Sequence, residues 1–183
     1  SLREIYDPPS VLYVWGQLTK ADWRCIGVVG SRRATHYGLQ AAKKLSYQIA
    51  RAGLTVISGL ARGVDTAAHE GALAGGRTIA VLGSGLGKLY PPENQALAEK
   101  IAKQGAVVSE FPILYLPDKQ SFPLRNRIVS GWSSGILVVE APQRSGSLIT
   151  ANQAAEQGRP VYAVPGPIDR PTSQGCHRLI QEG

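Results

Sequence analysis

Four short stretches carry the residue types that hold anions. Gly30-Ser31-Arg32-Arg33 ends an apolar run, and Ser58-Gly59 stands just ahead of Arg62-Gly63. Gly83-Ser84-Gly85 follows another apolar run, and Arg144-Ser145-Gly146-Ser147 precedes Thr150. Each stretch lies where strand-forming sequence gives way to a loop or a helix start. Backbone N–H groups at a helix start have no partner within the helix, the helix dipole favours negative charge there, and guanidinium groups fork onto phosphate oxygens. Glycine lets the backbone approach a phosphate closely, and the small hydroxyls add hydrogen bonds. Any one such loop is also an ordinary turn or cap. Four of them point to a shared anionic ligand, for which a nucleotide and a nucleic-acid backbone are both suitable.

The nucleotide fingerprints fail. Gly27-Val28-Val29-Gly30-Ser31-Arg32 does not supply G-x-G-x-x-G after its strand, and Gly83-Ser84-Gly85-Leu86-Gly87-Lys88 lacks both the P-loop spacing and the hydroxyl after its lysine. The densest basic cluster lies elsewhere, in Lys119-Gln120-Ser121-Phe122-Pro123-Leu124-Arg125-Asn126-Arg127. Cations that follow phosphates beside an aromatic face on which a base stacks are what single-strand binding requires. Phe122, next to Pro123, fits a core position equally well. Catalytic combinations are poor. His36, His69 and His177 lie far apart without metal-ligand spacing, so no metal, cofactor or catalytic residue is expected. Asp65 and His69, four apart on one helix face, fit either a pair or a helix-start cap. Glu110 and Glu140 stand at strand ends, and nothing in the sequence selects them as bases.

The elements that must position these residues alternate. Strand-like runs at residues 26–29, 54–57, 78–82, 106–109, 136–139 and 161–164 are separated by helical patterns. The first helix is expected from Leu39, Ala42, Leu45 and Ile49 on one face, stopped by Gly53, and the others near residues 64–74, 93–104, 126–134, 147–157 and 176–181. Such alternation predicts a mainly parallel sheet with helices on both faces, whose ligands collect outside the carboxyl ends of the strands. Residues 1–25 form a lead-in with a short apolar run at residues 11–15 that extends or covers the sheet, and residues 26–183 form the main domain. A loop at residues 110–124 with Pro112, Pro117 and Pro123 is longer than packing needs, as functional loops often are.

Composition narrows the partners. The 183 residues fit one domain with a sizeable core, and 43% hydrophobic with 18% charged residues exclude extended disorder. Twenty Lys and Arg against 13 Asp and Glu give a net charge of +7, which favours a polyanionic partner and also serves solubility. Cys25 and Cys176 are too few for a disulfide framework or a metal cage, which suits a reducing compartment. No apolar run reaches the roughly 18 residues that span a bilayer. Ser1-Leu2-Arg3-Glu4 does not read as a signal peptide. A soluble, cytoplasmic protein is expected.

Several ordered motifs then converge on one family. Residues 26–35, 58–69 and 145–151, with Tyr90-Pro91-Pro92-Glu93-Asn94, Phe122-Pro123-Leu124-Arg125-Asn126-Arg127 and Val164-Pro165-Gly166, together resemble the DNA-processing protein A family, also called DprA or Smf. The resemblance covers nearly the whole chain. It implies a three-layer, extended Rossmann-like α/β domain that binds and protects single-stranded DNA, loads the RecA recombinase during natural transformation and turns over no substrate. It implies that Arg32 contacts phosphate and that Lys119 and Phe122, ahead of Arg125, Asn126 and Arg127, form a basic and base-stacking pair. Gly30, Ser31, Arg33, Ser58, Gly59, Arg62, Gly63, Ser145, Gly146, Ser147 and Thr150 would complete the site. Cys176, His177, Leu179 and Ile180 resemble the segment through which members form homodimers, and flanking family domains are absent from this chain. The alternative is a nucleotide-binding enzyme or sensor similar to the phosphoribohydrolases, whose Pro-Gly-Gly-x-Gly-Thr motif Pro165-Gly166-Pro167-Ile168 does not match.

Overall fold

Short runs rich in Val, Ile and Ala, buried on both sides, form the inner strands of the sheet, as the interior of a parallel α/β sheet requires. In the computed structural model, which describes residues 2–183, the strands are β1 (Tyr13–Gly16), β2 (Cys25–Val29), β3 (Thr55–Ser58), β4 (Thr78–Val81), β5 (Ala106–Ser109), β6 (Ser133–Val138) and β7 (Val161–Ala163). They lie in the order β1-β5-β4-β3-β2-β6-β7. β1 is antiparallel to β5, and every other pairing is parallel. After β1 at the edge, the chain therefore enters the parallel part in the middle at β2, steps outward through β3, β4 and β5, and returns to place β6 on the other side of β2. That reversal is a topological switch point, where the connections leaving adjacent strands diverge and a crevice opens.

Side chains alternate between the faces. Val28 and Val56 pack with Ala42, Ala67, Ala68 and Ala72 from α1 (His36–Arg51) and α2 (Val64–Gly75), while Ala80, Leu82 and Val107 pack on Ala98 and Ile101 of α3 (Gln95–Gln104). On the opposite face, Ile57, Ile79, Val81, Ile136 and Val138 meet Ile128 and Val129 of α4 (Ser121–Trp132). The same cluster takes in Ala151 and Ala154 of α5 (Gly146–Glu156) and Cys176 of α6 (Gln174–Glu182). The result is the three-layer α/β fold. Among the described residues no helix is long and apolar enough to cross a membrane.

Two elements begin three or more residues earlier than their sequence patterns indicate. α4 starts at Ser121 and takes in Pro123, which fits a first turn because the N–H it lacks would have no intrahelical partner there. Asp118 closes this helix start by accepting from the backbone of Gln120 and Ser121 at 2.7 and 2.8 Å. β6 starts at Ser133, pulled into the sheet by its neighbour β2. The Pro-rich loop is folded rather than open: Gly85 and Gly87 donate to its Tyr115 and Ile113 carbonyls, and the Phe111 and Tyr115 rings stack at 4.6 Å.

His69 is enclosed within the layer between α2 and the sheet. Its Nδ1 lies 2.8 Å from the Thr78 hydroxyl, and its Nε2 has no partner among the described residues. Burial and the charge of Arg125 push its pKa down to about 3. The unfolded chain, whose histidine titrates near 6.5, binds the proton over the interval that the folded state refuses it. Stability should therefore rise with pH between about 3 and 6.5, by up to about 1.4 kcal/mol per pH unit from this group. Urea titrations at several pH values across that interval should show a shallower pH slope for His69→Gln than for the wild type; equal slopes would remove His69 as the cause.

Candidate nucleic-acid interface

At the switch point the connection after β2 runs to α1 on one face, and that after β6 runs to α5 on the other. Between them lies a groove of about 570 Å³. Gly30, Ser31, Arg32 and Arg33 form one wall, Ser145, Gly146, Ser147 and Thr150 face them, and Lys119, Phe122, Arg125 and Asn126 close the side. Gly59, Asp65 and Ala61 lie at its floor. Thirteen of the residues expected at the site thus come together, although they derive from four separate parts of the chain.

The floor is built around one peptide group. Gly59 donates its N–H to Asp65 Oδ2 at 3.1 Å, and its carbonyl accepts from Arg125 Nη1 at 2.7 Å. The same nitrogen donates to the Val81 carbonyl, and Arg125 Nε donates to Asn126 Oδ1. A Cβ at Gly59 would lie 2.6 Å from Arg125 Nη2, so only glycine fits between the two charges. Leu60, next in the chain, has a φ of 57°, an unusual conformation for a branched side chain. It is held by full burial and by Asn94, whose amide donates to the Leu60 carbonyl at 2.9 Å. Burial pushes the Asp65 carboxyl up against the pull of Arg125 and the Ala61 and Gly59 amides. Burial and the like charge of Arg32 bring Arg125 down to about 10, with Asp65 opposing, so the guanidinium stays charged at neutral pH.

The rim is exposed. Arg32, Arg33 and Lys119 reach solvent, and the Arg32 guanidinium carbon stands 5.1 Å from the centre of the half-buried Phe122 ring. Such a contact holds a cation over an aromatic face. The edge of Phe122 abuts Gly83, and Tyr90 tilts against it at 5.8 Å between ring centres. Phe122 is therefore neither a core plug nor a free ring. Gly63, at φ 75°, brings the second loop against Ser31 and Arg32: the Val64 N–H donates to the Ser31 carbonyl at 3.1 Å, and an added Cβ would press on that backbone. Ser31 N–H in turn donates to the Glu140 carbonyl at 2.6 Å, tying the two walls together.

The structure places other expected site residues elsewhere. Arg125 is 4% exposed and acts as an internal support, not as the surface phosphate clamp its neighbours led us to expect. Arg127 points away from the groove and binds Glu110 and Asp7, fastening the N-terminal lead-in to the domain. Ser58 is fully buried and donates to the Val28 carbonyl. Arg62 and Gly63 line a neighbouring groove, with Arg62 paired to Glu93. Glu140 accepts from the Thr35 N–H and hydroxyl at 3.1 and 2.9 Å, closing the start of α1. Asp65 does not pair with His69, since the two side chains serve different partners. Cys176 lies in the core and cannot face a partner chain; burial raises its thiol to about 11. His177 bonds the Gly166 carbonyl at 2.9 Å, Leu179 is half-buried, and Ile180 is half exposed. Sequence reasoning offered Asp65 as a partner of His69 or a helix-start cap, without its bonds to the Gly59 and Ala61 amides, and missed the Asn94 support. The only signal was their place within the motifs that frame the second and third loops.

Replacing Arg125 by Met should destabilise the fold by about 3–5 kcal/mol, because Asp65 keeps a buried charge without its counter-ion and two carbonyls lose their donor. Arg32→Ala, at an exposed cation–π contact, should cost about 1 kcal/mol or less. Urea unfolding distinguishes these values, and comparable small losses for both would show that the floor does not depend on Arg125.

The family model for DNA recombination-mediator protein A matches residues 1–183. The chain is 47% identical to the DNA processing protein DprA of Bacillus subtilis over all of its own length and 62% of the relative's. It superimposes on the X-ray structure of DNA processing protein A from Streptococcus pneumoniae with a TM-score of 0.94 at 46% identity, covering all of this chain and 64% of the other. A Helicobacter pylori DNA processing protein A, whose structure was described for its single-stranded DNA binding mode, gives a TM-score of 0.91 at 32% identity, over all of this chain and 83% of the other. The chain thus spans less than two thirds of the B. subtilis and pneumococcal proteins. A match from end to end, in sequence and in fold, makes this chain a member of the DNA recombination-mediator protein A family, known as DprA or Smf.

Proposed function

We propose that the groove between β2 and β6 binds single-stranded DNA and that the protein acts as a recombination mediator rather than an enzyme. The Arg32–Phe122 pair at the rim carries this reading. It sets a cation for a phosphate beside a ring for a base, and an extended, unpaired strand offers both at once. Exposed Arg33 and Lys119 continue the cationic wall, above a floor in which Arg125 and Asp65 offset each other. The ligand reported for the H. pylori relative supports the same assignment. The two strand-end carboxylates that an enzyme of this fold would call on are engaged, Glu140 with Thr35 and Glu110 with Arg127. Protection of incoming DNA, loading of the RecA recombinase during natural transformation and a cytoplasmic location complete the proposal, on the strength of family membership.

Fluorescence anisotropy with single strands, duplexes and mononucleotides over a salt series tests it. Affinity for the single strand should fall steeply with salt. Arg32→Ala should weaken binding to all sequences alike, and Phe122→Ala should cost roughly 1–3 kcal/mol. Tight binding of a mononucleotide with weak binding of the strand would favour the nucleotide-enzyme reading instead.

We further infer that α6 carries the contact of a homodimer. Its outward side presents Ile180, 50% exposed, beside the half-buried Leu179 and His177, whereas Cys176 is internal. Ile180→Glu should lower the mass measured by light scattering toward that of a monomer, with the circular dichroism unchanged. An unaltered mass would place any self-association elsewhere.

A further inference from the structure

Arg32 is shared between two grooves. On one side it faces the switch-point groove; on the other it borders a second depression of about 530 Å³ that runs between α1 and α2. The second groove has an apolar floor of Ala34, Leu39 and Ala67. Its walls carry Lys43 and Arg62 as well as Arg32, against the single carboxylate of Glu70. His36 stands at its edge, and Arg62 also borders the small cleft that opens beside Tyr90 and Phe122. From His36 to Lys43 the helix extends this surface by about 10 Å along its axis.

We propose that this second groove continues the single-stranded DNA path, so that a strand crosses the Arg32 ridge and lays its next nucleotides between α1 and α2. The inference rests on the first groove being a single-strand site. It is argued from continuity through Arg32 and from the combination of apolar floor and cationic walls, which receives sugar and base surface below and phosphates above. Lys43 is paired with Glu70 at 3.1 Å, and Arg62 with Glu93; in both pairs the side chains are about half exposed. Ion pairs so open to solvent are weak and screened, and a strand's phosphates displace the carboxylates at little cost. The carboxylates then act as place-holders that keep the two cations extended over the groove.

The test is an anisotropy titration of oligothymidylates from about 4 to about 16 nucleotides, the range of single-domain site sizes, each over a salt series. With the longest strand, Lys43→Gln should flatten the slope of log K against log salt by about 0.7, the value for one phosphate contact to a single strand. Lys43→Glu should weaken binding further. With the shortest strand that still binds the wild type, both variants should match it, because that strand is held by the first groove alone. A loss equal at every length, or no change at any length, overturns the extension. Arg32→Ala separates the two readings. If it leaves the shortest strand's binding intact, the first groove is not the site and the extension falls with it. If it weakens that binding while both Lys43 variants are silent throughout, only the extension falls. Lys43 is exposed, so matching melting temperatures confirm that the variants remain folded.

Discussion

A single buried peptide, held between opposite charges, is what the rest of this site depends on. Gly59 gives its N–H to Asp65 and its carbonyl to Arg125, so the end of β3, the start of α2 and the middle of α4 meet at one point. Arg125 also reaches the Val81 carbonyl at the end of β4. Charges this deep are expensive to desolvate, and each is tolerable only because the other and the surrounding amides and carbonyls satisfy it. The shifts of both groups record that expense. Burial raises Asp65 and lowers Arg125, each toward its neutral form, while their mutual attraction opposes the change.

From that point outward the geometry follows step by step. Arg125 and Phe122 are three residues apart on α4 and so share a face; fixing the guanidinium in the floor fixes the ring at the rim. Gly63 and the Ser31–Glu140 bond lock the loop that carries Arg32 against the two neighbouring strand ends. The switch between β2 and β6 supplies the opening, and the clamp supplies its rigidity. A binding surface with exposed cations but a fixed floor loses little conformational freedom on taking up a ligand, which is how preorganisation favours affinity.

The layers of this fold were legible in the sequence because helix and strand periods are local properties. The alternation of apolar runs and helical patterns places every element of the parallel sheet within a few residues. The order of the strands was not legible, since the adjacency of β2 and β6 joins residues more than a hundred positions apart and leaves no periodic trace. The anion-binding loops could be read from their glycines, hydroxyls and arginines, yet the fate of each arginine could not. Arg125 and Arg127 lie two positions apart, and the helix turns one into the floor and the other toward Glu110. Cys176 failed as a surface residue for the same reason: one helix face is core, and the chain beyond the motif does not say which. The start of α4 was obscured by Pro123, whose meaning reverses between a first turn and a helix interior.

The charge of the protein shows why composition alone overstates the binding surface. Arg77 is consumed by Asp22, Arg127 by Glu110 and Asp7, and Arg125 by the floor. These arginines hold layers together, and phosphates in solution do not reach their hydrogen-bonding groups. What remains exposed at the switch point is Arg32, Arg33 and Lys119, drawn from two connections and gathered on one rim. Counterion release, and with it the salt dependence of any nucleic-acid complex, reports the phosphates neutralised at the surface. It is therefore set by this small group, and by whichever cations border the path beyond it, rather than by the net charge of +7. Stability and binding are carried by different arginines, and the fold separates them by burial.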